Sequence, residues 1–148
     1  MTTTTGETID RRQPPFTHRS RVRWAACDMQ GQVFNAHYFT WMDSAHWELW
    51  RSVVGSYSDL VDMGILFVLV EATARYRHGA RLDDEVDIDV ALDAMSTTSK
   101  SSRYTVRRGD TVLVEGHLRH VCVDAHTLDK TPWPSQVRNA LRPHLQDE

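Results

Sequence analysis

A single long stretch of helical periodicity is followed, in this chain, by strand periodicity almost to the end. Tyr38, Trp41, Met42, Ala45, Leu49 and Val53 recur at steps of three and four residues, which places them on one face of a helix. Asn35 stands just before them as the expected N-cap, its side-chain oxygen accepting from an early backbone N–H, and Gly55 is placed to stop the helix. A helix with so much apolar surface must be wrapped by something, and the rest of the chain supplies a sheet.

The strands read as follows. Residues 17–25 alternate Val22 and Trp24 with Arg21 and Arg23, a half-buried strand, and residues 26–34 form a loop turning near Gly31. After the helix, residues 65–78 begin almost wholly apolar and then alternate around Thr73, Arg75 and Arg77. Val86, Ile88, Val90 and Leu92 alternate with Asp87, Asp89 and Asp93 at a period of two. Residues 103–108 and 111–123 are two further strands joined by a tight turn at Gly109-Asp110. Pro132 and Pro134 break the chain, and residues 135–145 suit a short terminal helix. With no alternation of strand and helix, the sheet is expected to be antiparallel. There is no internal repeat and no second domain.

Composition removes several function classes. The 148 residues suit one domain with one core. A net charge of −3 provides no field for nucleic acid. Cys27 and Cys122 are too few for a disulfide scaffold. Residues 1–15 lack periodicity and end in Pro14-Pro15, which predicts a disordered tail ahead of a domain over residues 16–148. That tail has no apolar signal core, and the longest apolar run, residues 64–70, is far too short for a bilayer. A cytoplasmic protein with no membrane partner is expected.

The chemistry concentrates in Cys27-Asp28-Met29-Gln30-Gly31-Gln32-Val33-Phe34-Asn35-Ala36-His37-Tyr38, which sets an acid in a loop between a strand and the start of the helix. Gly31 follows Asp28 by three residues and Asn35 by seven, with Tyr38 near the helix start. In this spacing the segment resembles the signature of the 4-hydroxybenzoyl-CoA thioesterase family of hotdog proteins. The resemblance extends from Thr17 to about Leu145 and includes the polar turn at Arg81-Leu82-Asp83-Asp84-Glu85-Val86. It implies an α+β fold, one hotdog domain whose antiparallel sheet wraps one long central helix. It departs from relatives at Ala26, where many have a second Asp, at Gln32, where many have His, and at Asn35, where one subgroup has a catalytic His. What remains is a mechanism resting on one carboxylate and the N–H groups of the helix start.

That mechanism has a physical basis of its own. A thioester carbonyl gathers negative charge as it is attacked, and the first turn of a helix offers unpaired N–H donors with a partial positive potential. One well-placed donor of this kind contributes roughly 3–4 kcal/mol. An ionised Asp beside it either attacks the carbonyl or deprotonates a water, and the family resemblance leaves both routes open. Asp28 and Asn35 are therefore the expected catalytic residues. By analogy Gly31, Val33, Phe34, Ala36, His37 and Tyr38 surround the substrate, with the N–H groups nearest residues 35–38 polarising the carbonyl. Without the resemblance, Asp28 beside its glycine reads as a loop-capping carboxylate.

Other residues have plainer readings. Cys27 lacks a positive neighbour and suits the core better than nucleophilic work. Eight histidines are scattered without metal-ligand spacing, so no metal is expected, and His117 and His120 fall on opposite faces of a strand. Trp24, Trp41, Trp47, Trp50 and Trp133 are expected mainly in the core, some shaping an acyl pocket. Glu71 suits an exposed edge. Of the cations able to meet phosphate, Arg119 and Lys130 are chosen.

The resulting expectation is an acyl-CoA thioesterase without bound cofactor. Two alternatives stay open: a thioesterase for acyl-carrier-protein substrates of polyketide or fatty-acid metabolism, and a non-catalytic acyl-CoA-binding hotdog protein. An exposed sheet edge implies a homodimer or a tetramer built as a dimer of dimers. The acyl group itself is not specified.

Overall fold

The computed structural model describes residues 16–145, so the expected tail over residues 1–15 lies outside the described residues, as does the end of the domain beyond residue 145. The described chain runs β1 (Phe16–Arg21), α1 (His37–Val53), α2 (Tyr57–Asp62), β2 (Ile65–Tyr76), β3 (Glu85–Met95), β4 (Ser99–Arg108), β5 (Thr111–Asp124) and α3 (Ser135–Leu141), with 3-10 turns at Trp24–Ala26 and Arg142–His144. The five strands form one sheet in the order β1-β3-β4-β5-β2, and every neighbouring pair is antiparallel. The antiparallel expectation therefore holds. The helical part is more divided than one long helix: α1 has 17 residues, α2 has 6 and α3 has 7.

The apolar patterns select the buried face. On α1 the buried residues are Tyr38, Trp41, Met42, Ala45, His46, Leu49 and Trp50, the three-and-four spacing of a stripe laid on the sheet. From β3, Val86, Ile88, Val90 and Leu92 point to the same core. Their alternates, Asp87 and Asp89, meet Arg19 and Arg107 on the other face, at 2.8 Å for each pair. The Arg19 guanidinium, through hydrogen bonding first, holds the Asp87 carboxyl below the usual carboxylate range. Gly116 on β5 lets α1 come close. A Cβ there would collide with the Met42 thioether and sit 3.1 Å from the Thr73 carbonyl.

Three elements differ from the sequence expectation. The first strand stops at Arg21, and the chain then coils into a 3-10 turn that leaves Trp24 64% exposed rather than in the core. The last rungs there are Val22 N–H donating to Asp84 O at 2.8 Å and Asp83 N–H to Val22 O at 3.1 Å. The N-cap of α1 is Ala36, not Asn35, and no side chain caps it. Helical φ and ψ already begin at Ala36 (−68°, −22°), so the first turn closes on backbone carbonyls and gives a side-chain cap nothing to do. Finally, β4 begins at Ser99, four residues before its expected start.

That early start places Lys100 in the core. Its Nζ lies 2.5 Å from His46 Nε2 and 3.4 Å from the Ser102 hydroxyl, and the His46 and His120 rings stack at 4.2 Å. Lys100 is 1% exposed, His46 0% and His120 2%. Burial lowers the Lys100 pKa to about 7. Burial first, and then the Lys100 charge, lowers His120 to about 3, and the same causes hold His46 well below the ordinary imidazole range. Nδ1 of both histidines and the Trp50 indole N–H have no hydrogen-bond partner among the described residues.

Candidate active site

The segment carrying Asp28 folds as a small hairpin. Cys27 and Val33 form a bridge, the Asp28 N–H donates to Gln32 O at 2.7 Å, and the Gly31 N–H donates to Asp28 O at 3.1 Å. Gly31 makes the reversal with a φ of +76°, where a Cβ would be strained. One carboxylate oxygen of Asp28, Oδ1, accepts from the backbone N–H groups of Gln30 at 2.8 Å and Gln32 at 3.1 Å. This is the loop-capping arrangement typical of Asp, and it leaves Oδ2 without a partner among the described residues. Asp28 is exposed. So are the large apolar side chains in and beside the hairpin: Met29 at 98%, Trp24 at 64% and Phe34 at 61%.

The start of α1 follows directly. The His37 N–H donates to Phe34 O at 2.9 Å, Tyr38 N–H to Asn35 O at 3.4 Å and Phe39 N–H to Ala36 O at 3.1 Å. These bonds, each closing over three residues, use the donors of residues 37 to 39. Asn35 and Ala36 are different, since neither N–H has an acceptor among the described residues. The amide donors expected across residues 35–38 thus narrow to two.

A cleft of about 260 Å³ opens at this point. Gln32, Val33, Asn35 and Tyr38 form one wall, and Tyr76, Arg77 and His78, at and just beyond the end of β2, form the other. The walls are braced: Val33 N–H donates to Ala80 O at 3.0 Å, Ala80 N–H to the buried Tyr38 hydroxyl at 2.9 Å, and the Tyr76 hydroxyl to Asn35 O at 2.9 Å. Burial raises the Tyr38 pKa, so its hydroxyl stays neutral and accepts.

Of the residues expected from sequence, Val33, Asn35 and Tyr38 line this cleft. Asp28 does not line it and connects to it through the bond from Gln32 N–H. Gly31 makes the hairpin turn, Ala36 is the N-cap, and His37 leans edge-on against Trp41 at 5.0 Å, its pKa lowered by burial. Arg119 pairs with Glu71 at 3.3 Å in the exposed β2–β5 register, and Lys130 bridges to Val123 in the loop after β5. Neither is on the cleft walls. Cys27 is a poor nucleophile, because burial and then the charges of Asp28 and Asp83 raise its thiol pKa. Sequence reasoning missed Tyr76 and His78. They meet Asn35 only in the folded chain, Tyr76 through its hydroxyl bond across 41 residues of sequence, and no short-range signal marks that. Among the described residues no three His, Cys, Asp or Glu side chains gather as a metal site, and no helix is long and apolar enough to cross a membrane.

The sequence profile of the thioesterase-like superfamily matches residues 22–141, nearly the whole described chain. This protein belongs to the thioesterase-like superfamily. A putative esterase of Aquifex aeolicus is 30% identical over 109 residues, covering 74% of this chain and 85% of that protein. The acyl-CoA thioester hydrolase YbgC of Escherichia coli is 29% identical over 118 residues, 79% of this chain and 88% of that one. Among solved structures, a gentisyl-coenzyme A thioesterase superposes with a TM-score of 0.76 at 28% identity, covering 82% of this chain and 98% of its own. These matches support the hotdog fold and thioesterase chemistry at the level of the superfamily, a coarser level than the 4-hydroxybenzoyl-CoA group that the sequence resembles.

Proposed function

We propose that this thioesterase hydrolyses an acyl-CoA thioester to the free acid and CoA, with Asp28 as the reacting carboxylate and the Asn35 and Ala36 N–H groups as oxyanion donors. The observation that carries the reading is the pair of amide donors without acceptors where α1 begins, beside a cleft. Charge gathering on the carbonyl oxygen during attack meets donors already in place. Asp28 keeps Oδ1 on the loop amides and leaves Oδ2 for the carbonyl carbon or for a proton of the attacking water. A carboxylate and amide donors suffice for this hydrolysis, so the proposal needs no metal or cofactor. The names of YbgC, an acyl-CoA thioester hydrolase, and of the gentisyl-coenzyme A thioesterase support a CoA thioester as the substrate. Arg119 and Lys130, away from the cleft, remain candidates for CoA phosphates, which lie far from the thioester along the pantetheine arm.

The exposed border of the sheet supports a homodimer. β2 is an edge strand, and Val68, Leu69 and Val70 on it are 39%, 53% and 47% exposed. A second copy joined along this edge would cover apolar surface that a monomer leaves in water. The test is thiol release from a panel of short, long, branched and aromatic acyl-CoAs, repeated with Asp28→Asn. Loss of at least about a hundredfold in kcat is expected of that variant. Turnover equal to wild type would remove Asp28 from the mechanism.

A further inference from the structure

The two free amides at the start of α1 are only as useful as their orientation is fixed, and that segment has little to fix it. No side chain caps the helix. The Asn35 carbonyl receives one long backbone bond, from Tyr38 N–H at 3.4 Å. Its short bond comes from across the cleft, where the Tyr76 hydroxyl donates at 2.9 Å.

We propose that Tyr76 is a positioning residue for thioester hydrolysis: by holding the Asn35 carbonyl it aims the Ala36 N–H of the same peptide as an oxyanion donor. The inference rests on the reading of the helix start given above. A trans peptide is planar and its C=O and N–H point in opposite directions, so a carbonyl fixed at one end fixes the amide at the other. A hydrogen bond accepted by the carbonyl also polarises the peptide and makes its N–H a stronger donor. Tyr76 is itself well held. Its ring meets Tyr38 edge-on at 5.6 Å, Tyr38 is tied to Ala80 N–H, and the Tyr76 backbone sits in register with Val114 of β5. Since the hydroxyl already donates to Asn35, Tyr76 acts on the substrate through that peptide.

Tyr76→Phe in the full chain keeps the ring and its contact with Tyr38 and removes only the donor. Tyr76 is 44% exposed, so water can solvate the freed carbonyl and the fold should be little affected. The expected result is a kcat lower by about tenfold to a hundredfold, with KM for acyl-CoA within about twofold and a thermal midpoint within about 2 °C of wild type. In nitrogen-15 spectra the Ala36 amide should shift and exchange faster with solvent. A kcat within about twofold of wild type, with Asp28→Asn inactive, overturns the role of Tyr76 and leaves the proposed function standing. A fall in kcat matched by a large fall in the thermal midpoint also overturns it, since the hydroxyl would then be serving the fold. Full activity in both variants removes the proposed site and the inference with it.

Discussion

Lys100→Met should stabilise the protein at neutral pH and flatten the alkaline side of its stability profile. In the unfolded chain the amine keeps its proton up to the ordinary lysine value of 10.5, whereas burial brings it to about 7 in the fold. Between those values the unfolded state binds more protons than the native state, so wild-type stability rises with pH; below about 7 both states are charged and the whole cost of the buried ammonium is present. The gap of 10.5 minus about 7 corresponds to about 5 kcal/mol at roughly 1.4 kcal/mol per unit. Methionine has a similar shape but leaves His46 Nε2 without its 2.5 Å partner, a loss of about 1–2 kcal/mol. The net expectation is a gain of about 3 kcal/mol near pH 6.5, shrinking to nothing and reversing slightly near pH 10.5. Urea unfolding followed by the fluorescence of the five tryptophans, at several pH values, measures it. A difference between variant and wild type that does not change with pH refutes the reasoning, as does destabilisation at pH 6.5.

The acid side depends on the stacked histidines. With His120 held at about 3 in the fold, stability falls as pH drops from about 6.5, where the unfolded chain begins to take up the proton; His120→Phe should reduce that fall in the same urea titrations. Gly116→Ala should cost about 1–3 kcal/mol, because Met42 must shift and Thr73 O lies 3.1 Å away, and the loss reads out as a lower urea midpoint. Leu69→Lys on the edge of β2 should convert a dimer to monomers in light scattering, since a lysine there opposes strand addition.

Much of the architecture was legible because apolar patterns repeat. The α1 face and the inward side of β3 appear in Tyr38, Trp41, Met42 and in Val86, Ile88, Val90 without ambiguity. The same patterning hid the start of β4, where the inward positions are Lys100 and Ser102. A buried lysine looks like surface to any rule that counts charge as exposure. His120 was hidden in the same way, since its spacing does not set it apart from the other histidines. Trp24 misled in the opposite direction: its alternation with Val22 continued past the point where backbone bonds turned the chain. At the site, the Asp28–Gly31 hairpin and Tyr38 were readable from spacing. Which amides stay free was not, because this depends on whether residues 37 to 39 close their bonds at three residues or four. The opposite wall comes from residues about 40 positions further along the chain and had no local mark.

The second strand has two duties that pull on each other. One end supplies Tyr76, Arg77 and His78 to the cleft, while its outer rim is the unpaired border of the sheet. Whatever docks along that rim also bears on the geometry of the cleft. With the second copy proposed above on that border, specific activity should fall on dilution.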